Sequence, residues 1–138
     1  MDIRGYLFGG LTRQMVYKSL DASAMRGRVI AENLANVSTP GYRRKEVVFE
    51  DELKKVLDKK IPGETTEPGH MDILRGAEVD KVQPKALEPI DPTMPGEVNN
   101  VDVDMEMAKM AENQIQYDFS IRFAGFEKYQ AAITGRSN

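Results

Sequence analysis

LTRQMVYKSLDASAMRGRVIAENLANV, residues 11–37, runs directly into Ser38-Thr39-Pro40-Gly41-Tyr42, and the fold is decided by this stretch. It holds no proline, and its only glycine is Gly27. Leu11, Met15, Ala22, Met25 and Val29 fall at alternating steps of four and three residues, with Lys18 in the intervening place. A neighbouring row carries Val16, Leu20, Ile30 and Leu34. Together they form a broad apolar face of helical period. The spacing predicts one helix, ~40 Å long at 1.5 Å per residue. Thr39-Pro40-Gly41 stops it, because Pro40 has no N–H and pushes Thr39 from helical angles, while Gly41 tolerates positive φ.

The other end of the chain repeats the pattern. From Val101 to about Thr134, the residues Met105, Ala108, Ile115, Phe119, Phe126, Tyr129 and Ile133 keep the three/four spacing. Glu112 and Arg122 occupy the two missing places. Asp102, Asp104 and Glu106 open the segment, where carboxylates complement the positive end of a helix dipole. They read as dipole partners and solvated charges rather than as an acid/base pair, which would need two environments that push the pKa values apart. The spacing predicts a second helix of ~48 Å with a heptad seam.

Between them the pattern breaks. Phe49, Leu53, Val56 and Leu57 suit one face of a short helix inside a run dense in both charges. From Pro62 to Pro95 the chain carries every one of its prolines except Pro40. Each removes a backbone donor, which disfavours a long helix or a central strand. Short strands are expected around Met71 to Leu74 and Glu78 to Val82. The chain therefore divides into residues 1–42, a helix and its closing turn; 43–100, an irregular and partly disordered middle; and 101–138, a helix. The fold class is mainly α, with the two long helices packing as a coiled-coil-like hairpin or assembly layer. Such helices pack on each other or on copies from neighbouring chains, since a bare hairpin leaves much of both faces wet.

Composition narrows the function. The net charge of −3 lacks the basic excess by which nucleic-acid binders neutralise phosphates. There is no cysteine, which removes disulfides, thiolate metal sites and cysteine nucleophiles, and a single histidine. His70 with Glu64, Glu67 and Asp72 lies in a Pro/Gly-rich stretch that does not fix ligand geometry, so no metal site is expected. No nucleophile–base or phosphate-loop pattern occurs. No enzyme activity, cofactor or small-molecule substrate is expected. No apolar run approaches the ~20 residues that span a bilayer. Gly5 to Leu11 is short, broken by glycines and followed by no small-residue cleavage site, a poor secretory signal. Arg43-Arg44-Lys45 reads as solvated surface, with anionic lipid or an acidic neighbour as the alternative. The methionines Met105, Met107 and Met110 suit either core or an adaptable partner surface.

Ala31-Glu32-Asn33-Leu34-Ala35-Asn36-Val37-Ser38-Thr39-Pro40-Gly41-Tyr42 resembles the N-terminal motif of the flagellar rod and hook family, roughly N-[IL]-A-N-x-x-T-P-G-Y. Asn33, Leu34, Ala35, Asn36, Thr39, Pro40, Gly41 and Tyr42 match it with the spacing intact. Asn99 through Asn113, with Tyr117, resembles the approach to the C-terminal helix of a proximal-rod member of that family. Thr66 with Pro68-Gly69-His70 resembles a short T-x-x-x-H element of the same member. The resemblance implies a structural subunit of the proximal rod of the bacterial flagellar basal body. It implies export without a cleaved signal by the flagellar type III apparatus, and helical assembly in the periplasm with other rod subunits. It also implies contact with a membrane-ring adaptor and transmission of torque. The alternatives are another rod-family protein, such as the sister proximal-rod subunit, or a soluble helical-hairpin regulator or chaperone. The expected assembly residues are the apolar positions Leu11, Met15, Ala22, Met25, Val29, Met105, Ala108, Ile115, Phe119, Phe126, Tyr129 and Ile133, and the turn residues Asn33, Asn36, Pro40, Gly41 and Tyr42. Asn33 and Asn36 either cap the first helix or bond across it to fix register.

Overall fold

A computed structural model describes residues 10–58, 78–89 and 98–133. Helix α1 runs Gly10–Ala35. Strand β1 is Glu46–Val48, helix α2 Glu50–Asp58 and strand β2 Lys85–Leu87. Helix α3 is Val103–Ile133. Both long helices form where the apolar spacing predicts them.

Helix α1 ends before Pro40. The Asn36 N–H still reaches the Glu32 carbonyl at 3.2 Å, then Val37 N–H to Leu34 O and Thr39 N–H to Asn36 O tighten the chain into turns. Gly41 follows at φ 71°, a left-handed conformation that glycine adopts without a Cβ clash. At the far end, Asp102 caps α3. Its Oδ1 accepts from the N–H groups of Asp104 at 2.9 Å and Met105 at 3.2 Å, satisfying two donors that the first turn leaves free.

α1 and α3 pack as an antiparallel hairpin. Ser19 Oγ lies 3.4 Å from Ser120 Oγ, Asn113 Nδ2 donates to the Ser23 carbonyl at 3.0 Å, and Asn33 meets Glu106. Partner numbers fall along α3 as they rise along α1.

The middle leans on α1. β1 and β2 pair antiparallel, with Val47 opposite Ala86. Phe49, 2% exposed, packs with Ala22 and Val82, and Leu53 and Val56 of α2 close over them. Of the Phe49, Leu53, Val56 and Leu57 face expected of a short helix, Phe49 is buried just before α2 and the other three are half-buried on it. Arg26 on α1 pairs with Glu50 at the start of α2, and Lys18 Nζ donates to the Asp80 carbonyl at 2.6 Å.

The strand expected at Glu78 to Val82 is instead a helical turn over 78–81. Val79 and Val82 are both buried, three residues apart, a helical rather than an alternating spacing. The sheet is built from Glu46–Val48 and Lys85–Leu87, two short runs whose partnership depends on how the chain returns. The strand expected at Met71 to Leu74 and the Glu64, Glu67, His70 and Asp72 group lie outside the described residues.

Candidate assembly surface

The closing turn of α1 is not loose. Asn33, fully buried, makes four hydrogen bonds: Nδ2 donates to the Lys45 carbonyl at 2.8 Å and to Glu106 Oε2 at 2.9 Å, while Oδ1 accepts from Lys45 N–H at 2.9 Å and the Tyr42 hydroxyl at 3.1 Å. An amide side chain has two donors and an oxygen with two lone pairs, so Asn33 is saturated. Asn36 stays local, donating to the Glu32 carbonyl at 2.8 Å and accepting from Thr39 Oγ1 at 3.2 Å. The two asparagines thus divide the alternatives: Asn36 caps the helix and Asn33 bonds across it.

The far side of the turn is held by the approach to α3. Asn99 Nδ2 lies 2.8 to 3.0 Å from the carbonyls of Asn36, Val37 and Thr39, and the Arg44 N–H donates to Asn100 Oδ1 at 2.7 Å. Glu106 is 1% exposed, with Arg44 Nη1 at 3.5 Å and Lys109 Nζ at 3.9 Å. Glu106 is therefore a buried partner rather than the solvated charge expected, whereas Asp102 caps and Asp104 faces solvent. The Arg44 and Lys45 cations are also used within the chain, on Glu46 and Glu32 respectively. Burial, reinforced by the Glu32 carboxylate, pushes the Tyr42 phenol above its usual pKa. The hydrogen bond to Glu32 does the same for Lys45.

The hairpin seam on α3 is Glu106, Met110, Asn113, Tyr117, Ser120 and Ala124, all buried or half-buried. This row again steps by four and three residues. The more apolar row expected at the seam lies on the other side of the helix. Ile115 is 71% exposed, Phe119 70% and Tyr129 64%, and Met105, Ala108 and Phe126 are exposed too. Met107 is exposed and Met110 half-buried. On α1, Ala22 and Val29 are buried and Met15 and Met25 half-buried. Tyr42 is half-buried, Pro40 and Gly41 are exposed, and the side chains of Leu11 and Ile133 lie outside the described set. The two rows differ because α3 has apolar side chains on both sides, and spacing alone names a face without naming its partner.

A groove of about 290 Å³ runs between α1, β1 and α3, lined by Val29, Ile30 and Val47 with charges of both signs at its rim. Those charges are already used: Arg26 pairs with Glu50 and Lys109 with Glu46. Among the described residues, no helix is long and apolar enough to cross a membrane.

No family profile matches the chain. Curated proteins do. The flagellar basal body rod protein FlgB of Bacillus subtilis strain 168 is 31% identical over 131 residues, covering 94% of this chain and 97% of that protein. The chain belongs to the FlgB family of flagellar basal body rod proteins. FlgB of Escherichia coli K12 is 31% identical over 75% of this chain and 78% of its own length. FlgB of Borrelia hermsii is 33% identical over 75% of this chain and 79% of its own. FlgB likeness thus extends over the middle segment, where the sequence motifs are weakest. Sequence reasoning missed Glu106, Asn99 and Asn100 as structural partners. Asn33 carried a signal, since it continues the Ala22, Met25, Val29 row as a polar residue on an apolar face.

Proposed function

We propose that this chain is a structural subunit of the proximal rod, assembling helically with other rod proteins and transmitting torque rather than catalysing a reaction. The likeness to FlgB of Bacillus subtilis over nearly the whole of both chains carries the reading. The exposed row on α3 supports it: Ile115, Phe119, Phe126 and Tyr129 form an apolar stripe along one side of a long helix, a surface of the kind that marks protein contacts. In this reading the segments 1–42 and 101–138 form one packing unit, and 43–100 is its appendage. The subunit leaves the cytoplasm through the flagellar export apparatus without a cleaved signal. It then stands in the periplasm among other rod subunits, next to the membrane-ring adaptor. The assembly residues are the outer row of α3, with the turn from Asn33 to Tyr42 holding that row in place.

Phe119→Asp tests the reading. The side chain is exposed in the single chain, so its replacement changes stability by no more than about 0.5 kcal/mol. In an assembled rod the same change buries a carboxylate in an apolar contact, at a cost of several kcal/mol per subunit. The expected strain makes the protein and exports a tagged copy, yet yields no complete rod and does not swim. Normal swimming overturns the proposal.

A further inference from the structure

The hairpin sets a puzzle of its own. α3 offers two faces to α1, and the less apolar one is chosen. The inner row includes Glu106, Asn113 and Ser120, whereas the outer row carries Ile115, Phe119 and Phe126. The two are almost opposite, since Ile115 lies nine residues, or about two and a half turns, beyond Glu106. Apolar burial is non-directional and grows with the area removed from water, so it favours the outer row against α1. Something directional must oppose it.

The strongest directional contact across the seam is Asn33 with Glu106. Both are almost wholly buried, and their side chains are 2.9 Å apart, Nδ2 to Oε2. Turning α3 by half a turn would carry Glu106 to the far side and bring Ala108 and the shorter Asp104 side chain to the level of Asn33, so the bond from Nδ2 to the Glu106 carboxylate would be lost. A buried donor without an acceptor is costly. Arg44, which reaches both Glu106 and Glu46, would lose its buried partner as well. Buried polar pairs contribute little net stability against apolar replacements of similar size, but they can specify one arrangement among several.

We propose that Asn33 and Glu106 form a face-selecting lock. They hold the polar row of α3 inward in the single chain and so keep the apolar row from being consumed within its own hairpin. The use of that row by neighbouring subunits rests on the rod-subunit reading; the lock is a property of the lone chain. Asn33 and Glu106 are positioning residues, acting through the orientation of α3.

The chain has no cysteine, so introduced thiols report cleanly. Ser19→Cys with Ser120→Cys reports the observed seam, because the two hydroxyl oxygens are 3.4 Å apart. Ile115→Cys reports the outer face. Each is placed in the full-length chain, first with Asn33 and Glu106 intact and then with Asn33→Leu and Glu106→Met, an apolar pair of similar volume. With the pair intact, the seam thiols oxidise to a disulfide within the chain and the Ile115→Cys thiol reacts quickly with a maleimide. In the apolar variant, helical circular dichroism is retained, the disulfide yield falls about tenfold and labelling slows by a similar factor as the population shifts. Unchanged oxidation and labelling overturn the lock. So does failure of the intact chain to form the disulfide, and so does loss of helix in the apolar variant, which would make the pair a stabiliser of the fold rather than a selector of faces. None of these readings depends on swimming, so a failure of the lock and a failure of the rod reading are told apart.

Discussion

Asn33 is saturated on all four of its hydrogen-bonding positions, and its neighbours inherit the consequences. Asn33→Asp keeps the shape but exchanges a donor for a second carboxylate beside Glu106. We expect a loss of about 3–5 kcal/mol at neutral pH, the usual cost of an uncompensated buried charge. Denaturant unfolding checks it; a cost below about 1 kcal/mol would show that the Glu106 carboxylate is not the partner that matters. Tyr42→Phe removes one donor to Asn33 Oδ1 and costs about 1 kcal/mol. Tyr42 and Lys45 both have raised pKa values, Tyr42 mainly from burial and Lys45 mainly from its bond to Glu32. A raised folded value contributes stability that is complete below the unfolded pKa and disappears as pH climbs through the folded one. Stability should therefore decline as pH climbs past the ordinary values of 10.0 for a phenol and 10.5 for a lysine, and less steeply in Tyr42→Phe than in the parent. An equal alkaline slope in the two proteins counts against this assignment.

At the scale of elements, the two long helices and the short α2 were readable, and the turn at 78–81 and the strand pairing were not. Residues 11–37 predicted a helix and Gly10–Ala35 is one, because the three/four spacing is long and Pro40-Gly41 punctuates it. The segment Glu78 to Val82 is too short for period to decide; it is a helical turn with Val79 and Val82 both buried, Val82 in the cluster with Ala22 and Phe49. Pairing of Val47 with Ala86 joins positions far apart in sequence, which local pattern does not encode. Glu106 sat where a first-turn carboxylate ordinarily serves the dipole, and only the approach of Asn33 and Arg44 gave it another use. The second heptad row on α3, from Met110 through Tyr117 to Ala124, was the available signal for that face. Gly27 offers a test of helix energetics. A Cβ there would meet Asn113 Nδ2 at 3.6 Å, ordinary contact distance. Gly27→Ala should therefore stabilise the chain by about 0.5–1 kcal/mol, through loss of unfolded-chain freedom. Thermal unfolding measures it, and a lower midpoint would mean that α1 and α3 approach more closely than this distance allows.

Among the described residues, the packing lies in α1, α3 and the small cluster around Phe49. Phe49→Ala should cost about 3–5 kcal/mol, since the ring is buried against Ala22 and Val82. Equilibrium unfolding is the measurement, and a loss below about 1 kcal/mol would show that the ring is not part of the core.

The bonds from Asn99 to the end of α1, and from the Arg44 N–H to Asn100, also close a ring in the chain. Residue 44 and residue 100 are fastened side by side, so the chain departs from the hairpin and returns to it at one point, a neck, although β1, α2 and Val82 also rest on α1. A neck of this kind is an insertion port. Whatever is spliced between its two ends, so long as it spares β1, α2 and the 78–87 stretch that rest on α1, is anchored beside the helices at both of its ends. Each doubling of the inserted length adds only about 0.6 kcal/mol of closure entropy. Tags, reporters or foreign domains grafted there would ride on the subunit as cargo, while the helical pair beneath them remained free to pack.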